Sequence, residues 1–274
     1  MSGARNMPTA SEVKRLNRNP ADASARAFTY RFLAEAFAYP EPEGWVWIRE
    51  PATREALDAA VREAWGSLPE TSALAGIAAL AIAGIGLEAA RADHLRAFGY
   101  TVRGACPPHE IEYGDAKADA LFRPHRLADL SALYRAFGLE MDDLAHERQD
   151  HLAIECEFAS ILAARAAHAL ENNRAEWIDA CERAWRLFLR EHLGRWVQAF
   201  ASRLEGMRPA RWLLDSVALM LAVVRADCAA LGIRPGSDDI QLVSYDGSDE
   251  AFCADRCGLN GAPTDSPPES GLVP

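Results

Sequence analysis

Apolar positions recur at helical spacing along most of the chain. Phe28, Phe32, Leu33, Ala36 and Phe37 repeat at three- and four-residue intervals, which puts them on one face of a helix. Asn19-Pro20 offers a cap and a first-turn proline before that run, and Tyr39-Pro40 ends it. A Pro-punctuated connection carrying Trp45 and Trp47 leads to a second helix, near Ala52–Trp65. Beyond Leu68-Pro69 the pattern predicts one long helix from about Ser72 to Phe98, closed by Gly99. Pro124 starts another, with Leu127, Leu130, Tyr134 and Phe137 on one face. Asp150 then reads as the N-cap of a helix reaching about Leu170, with His151, Glu155, Phe158 and Leu162 sharing a face. Ala175–Leu193 continues through Trp196, Val197, Phe200 and Leu204 to Gly206, and a last helix runs from Pro209 to near Gly232.

No stretch alternates with the period of a strand, and no internal repeat is present. The expected architecture is all-α: a single globular helical domain of about nine helices over residues 19–235. A flexible segment, 1–18, precedes it, and an irregular Gly/Ser/Pro-rich acidic tail, 236–274, follows. The one extended internal segment is Tyr100–Asp115, where two prolines and two glycines exclude regular helix.

Composition narrows the function classes. Half of the chain is hydrophobic and a quarter is charged, which is ordinary for a soluble globular protein. The formal charge is −11, so a nucleic-acid partner is not expected and a basic partner fits better. Ala73–Leu87, the longest uncharged apolar stretch, falls short of the roughly 17–25 residues of a bilayer span. No stable membrane insertion is therefore expected. The first twenty residues lack the apolar run of a secretory signal, and the 6 cysteines have no framework spacing. Both features suit the cytoplasm. Cys253-Ala-Asp-Arg-Cys257 supplies two thiols, too few for a metal site by itself.

Candidate chemistry is sparse. No histidine has a glutamate three residues before it, and no His-Glu-x-x-His or Gly-Lys-Ser/Thr motif occurs. No catalytic residue, metal ligand or cofactor is predicted. Two segments stand out, the second with no evident packing need for so much charge. One is Glu147-Arg-Gln-Asp-His-Leu-Ala-Ile-Glu-Cys-Glu-Phe158; the other is the loop with His109, Glu110, Glu112 and Tyr113. Together, on an acidic helical scaffold, they suggest a groove for a basic peptide. The competing reading is a helical small-molecule or cofactor-binding protein, possibly an enzyme.

Three linked pieces resemble the TorD/DmsD/NarJ family of redox-enzyme maturation chaperones. They are Asp93-His-Leu-Arg-Ala-Phe-Gly with Cys106-Pro-Pro-His-Glu-Ile-Glu-Tyr-Gly114, then Leu127–Gly138, then Glu147–Phe158. The resemblance implies a cytoplasmic, non-enzymatic chaperone, monomeric or homodimeric. Its partner would be the molybdenum-containing catalytic subunit of a reductase or dehydrogenase. It would bind that subunit's twin-arginine leader, its apo-core or both, and hold it for molybdenum cofactor insertion before export. The family's leader pocket carries over to Asp150 and His151, and its loop tyrosine to Tyr113. His109 stands where the family often has an aromatic residue. Glu110, Glu112, Glu147 and Asp150 are then expected to receive the leader's guanidinium groups, with Glu155 and Tyr134 in the groove wall.

Overall fold

Helix signals at both ends of most segments translate directly into structure. The computed structural model describes residues 16–17, 19–66, 68–99, 104–115, 122–141, 147–236 and 240–242. Residues 1–15, Cys253 and Cys257 lie outside them. The helices are α1 (Pro20–Phe37), α2 (Pro42–Arg49), α3 (Pro51–Trp65), α4 (Pro69–Ala83), α5 (Leu87–Phe98), α6 (Phe122–Ala136), α7 (Leu152–Glu171), α8 (Ala175–Glu191), α9 (Leu193–Gly206) and α10 (Arg211–Leu231). This bears out the all-α expectation. Asn19 caps α1 as predicted, its Oδ1 accepting the Asp22 N–H at 2.8 Å. Gly232, at φ +69°, closes α10 in the left-handed region that glycine adopts without a Cβ penalty.

Two helical details differ from the sequence reading. The Trp45/Trp47 connection is itself a helix, α2, with Trp45 and Ile48 buried. The predicted Ser72–Phe98 helix is two helices, α4 and α5, which meet at 115°. The break falls at Gly84-Ile85-Gly86, where the Trp45 indole donates to the Ile85 carbonyl at 3.1 Å. Among the described residues no single helix is long and apolar enough to cross a membrane.

The core forms where α1 packs on α7 and α3, α10 on α4 and α9, and α8 between α7 and α9. Trp185, Trp196, Trp212, Tyr30, Phe188 and Phe200 fill its centre. Buried polar groups pin the helices. Asp227 of α10 accepts Arg26 Nε at 3.1 Å, the Tyr30 hydroxyl at 2.9 Å and Trp65 Nε1 at 2.8 Å, which joins α1 and α3 to it. Glu182 of α8 takes the backbone N–H groups of Leu16 and Asn17, each at 3.0 Å.

One small ribbon interrupts the helical pattern. β1 (Tyr113–Asp115) pairs antiparallel with β2 (Ile240–Leu242), Tyr113 opposite Leu242 and Asp115 opposite Ile240. A 3-10 turn, Glu110–Glu112, leads into β1. Residues 240–242, placed by composition in the tail, are thus a paired strand at the edge of the loop that carries the candidate site.

Candidate functional site

The two segments singled out in the sequence meet at the start of α7. His109 and His151 form an isolated antiparallel bridge. Glu110 N–H donates to the Asp150 carbonyl at 2.9 Å, and Leu152 N–H donates to the Pro108 carbonyl at 2.8 Å.

His151, not Asp150, caps α7: its Nδ1 accepts the Ala153 N–H at 3.1 Å. Arg148 is the physical reason that Asp150 is drawn elsewhere. Its Nε and Nη2 donate to the two Asp150 oxygens at 2.9 and 2.7 Å, a bidentate charged pair that outweighs one cap bond. The Asp150 carboxylate also accepts the Ile111 N–H at 3.1 Å. Arg148 Nη1 extends to Glu112 Oε1 at 3.3 Å. Burial would raise the Asp150 pKa, but His109 and the bonds and charge of Arg148 outweigh it and hold the carboxyl well below the usual carboxylate range. His109 Nδ1 faces Asp150 Oδ1 at 3.7 Å without a hydrogen-bond partner.

Burial, then the nearby His109, pushes the His151 pKa well below its ordinary value, so the ring is neutral. Because Nδ1 accepts, the ring proton sits on Nε2, which lies 3.8 Å from Glu147 Oε2. His109, Glu147 and His151 bring possible ligand atoms within 4.8 Å of one another. That proton makes the trio a poor metal site, since a metal at His151 Nε2 would need either an anionic ring or a lost cap.

Glu110 anchors a second group of charges. It lies 3.0 Å from His192 Nδ1, and Arg195 Nη2 donates to it at 3.2 Å. Arg126 Nη1 is 3.7 Å away. Arg195 Nη2 also holds the Tyr113 carbonyl at 3.1 Å. Tyr113 is buried, stacked on Trp196 with ring centres 5.4 Å apart. Glu155 is buried beneath them, where burial first and Glu110 second raise its pKa well above the ordinary value. Tyr134 donates its hydroxyl to the Gln149 carbonyl at 3.0 Å. The Gln149 side chain clasps α6, accepting from Ser131 Oγ at 2.5 Å and donating to the Leu127 carbonyl at 2.6 Å.

All nine predicted residues therefore gather around the start of α7. Eight of them are buried, and Glu147 alone keeps a large exposed share, 41% of its side chain. The sequence reading missed Arg148, Arg195, His192, Trp196 and Gln149. Arg148 and Gln149 stood inside the singled-out stretch. His192, Arg195 and Trp196 have the i, i+3, i+4 spacing of one helix face, a signal that only the fold connects to the loop.

Open surface lies next to this cluster. A groove of about 590 Å³ between α6 and α8 is lined by Ala132, Leu133, Ala136 and Leu187, together with His125, Arg126, Asp129, Glu191 and His192. Two of these, Arg126 and His192, face Glu110.

Residues 54–202, which include every site residue named above, match a family model described as nitrate reductase delta subunit. The chain is 39% identical over 75 residues to the perchlorate reductase assembly chaperone protein of Dechloromonas aromatica, covering 27% of this chain and 33% of the relative. It is 27% identical over 128 residues to the chaperone protein TorD of Photobacterium profundum, covering 47% of this chain and 56% of the relative. The chain thus spans between a third and just over half of the length of these curated relatives.

Proposed function

The chain belongs to the nitrate reductase delta subunit family, and from that premise we propose that it is a cytoplasmic maturation chaperone, not an enzyme, for the molybdenum-containing catalytic subunit of a reductase or dehydrogenase. It binds the twin-arginine leader of that subunit and holds the subunit for molybdenum cofactor insertion before export. The chaperone names of both relatives support the role.

The observation that carries the reading is the α6–α8 groove and its position beside the carboxylate cluster. A leader of this kind presents arginines next to an apolar run. The groove offers Leu133, Ala136 and the 41%-exposed Leu187 to the apolar run, and Asp129 and Glu191 in its lining suit the arginines. Exposed ion pairs contribute about 0–1 kcal/mol each. Apolar burial at about 25 cal/mol per Å² therefore supplies most of the affinity, and the acids supply selectivity.

Calorimetric titration of a synthetic twin-arginine leader tests this. Wild-type protein binds it, and Leu187→Glu, which puts a charge on the groove wall without touching the core, weakens binding on the order of tenfold. No binding to wild type, or equal binding to both proteins, would overturn the reading.

A further inference from the structure

We propose that Arg148 is an internal stand-in for an arginine of the client: in the free protein it occupies Asp150 and Glu112, two of the acids that the family resemblance assigns to the leader's guanidinium groups. The inference rests on the chaperone reading above and adds a closing device to it.

The geometry is that of a filled arginine site. Arg148 uses three of its nitrogens: Nε and Nη2 on Asp150, at 2.9 and 2.7 Å, and Nη1 on Glu112, at 3.3 Å. That planar fork is what a carboxylate pair selects in any arginine, and a lysine could not reproduce it. The subsite is prepared from behind as well. His109, almost fully buried, aims Nδ1 at Asp150 Oδ1 from 3.7 Å and has no hydrogen-bond partner there. The Ile111 N–H fixes the other carboxylate oxygen, at 3.1 Å.

Exposure identifies Arg148 as the exchangeable partner. Its side chain is 31% exposed, whereas that of Asp150 has no exposure, so it is partly in solvent while it holds a buried acid. Arg195, the partner of Glu110, differs on both counts. It is only 11% exposed and is also bonded to the Tyr113 carbonyl, so losing it would undo the attachment of β1. Exchange at Asp150 leaves no buried charge unpaired, because one guanidinium enters as another leaves. The step hands Arg148's three bonds to the entering guanidinium and moves a side chain that is already 31% exposed.

A purely structural ion pair predicts a different outcome, and Arg148→Ala separates the two. In thermal unfolding Arg148→Ala is less stable than wild type. Methylguanidinium at millimolar concentration restores much of the loss, while tetramethylammonium at equal ionic strength does not, and wild type responds to neither. In titration with a twin-arginine leader, Arg148→Ala binds on the order of tenfold tighter than wild type because the internal competitor is gone. Arg148→Lys, which keeps a cation and loses the fork, provides the same two readouts if the alanine variant folds poorly. Weaker leader binding in the variants, or no selective rescue by methylguanidinium, overturns the stand-in. Rescue by methylguanidinium with no leader bound by any form would retain the subsite and remove the client reading.

Discussion

The indole N–H of Trp196 reaches both carboxyl oxygens of Glu155, at 3.2 and 3.1 Å, inside a site closed to solvent. One donor serves two acceptors, and burial with Glu110 nearby raises the Glu155 pKa well above the ordinary value. The folded state therefore binds this proton more tightly than the unfolded chain does. Stability contributed by the protonated form is complete below the unfolded pKa and is lost as pH rises through the folded one. Glu155→Gln, which copies the neutral form, should flatten that decline and unfold at equal or higher denaturant concentration than wild type at pH 8. Trp196→Phe, which strands the acid, should cost about 1–3 kcal/mol. Urea unfolding across pH checks both.

His94 works in the opposite sense. Burial lowers its pKa from 6.5 to about 4, against a raising contribution from its 3.3 Å contact with the Phe37 carbonyl. The unfolded chain binds the proton first, so stability falls as pH drops from about 6.5 to about 4. The loss should total about 3 kcal/mol, at about 1.4 kcal/mol per pH unit. His94→Gln should remove most of that slope, read from denaturation midpoints between those pH values.

Arg195 and Glu110 make a buried pair whose halves are unequal to lose singly. Arg195→Met leaves Glu110, which has no exposed side-chain surface, without its bonded guanidinium and should cost about 3–5 kcal/mol. Glu110→Gln combined with Arg195→Met should recover part of it. A double-mutant cycle in urea measures the coupling, and additive single effects would rule it out.

Gly194 sets the corner between α8 and α9. A Cβ there would collide with the Leu189 carbonyl oxygen and stand 2.9 Å from Cys228 Sγ. Gly194→Ala should therefore destabilise by about 1–3 kcal/mol, the range expected for overpacking. Unchanged thermal unfolding would show that the corner has room.

The helices were legible wherever apolar period and end signal agreed, as at Asn19-Pro20, Gly99 and Gly232. α2 was missed because its eight residues are bounded by prolines and give barely two turns of periodicity. The α4–α5 bend was missed because an Ala-rich, uncharged run has no polar face to go out of phase. Nothing local announces a three-residue ribbon whose strands are joined only by the fold. At the site, the sequence singled out the two segments that the fold brings together, but it named the wrong cap. Asp150 is the better N-cap in isolation, but Arg148 competes for it. The partners of Glu110 and Glu155 come from α6, from α9 and from His192 just before it, and sequence spacing cannot pair residues so far apart.

The Gln149 clasp on α6 has a consequence for selectivity. α6 meets the core through Leu130, Leu133 and Tyr134, yet Gln149 and Tyr134 bond it to the turn before α7. The wall facing α8 is thus held partly by a few polar bonds at its edge. Such bonds contribute about 1 kcal/mol apiece, far less than opening the Trp185–Phe188 centre would require. Parting α6 from α8 at this edge therefore costs less than opening the core. For a leader bound as proposed, one groove would then accept apolar side chains of several sizes, and discrimination between leaders would fall to the charged residues along it.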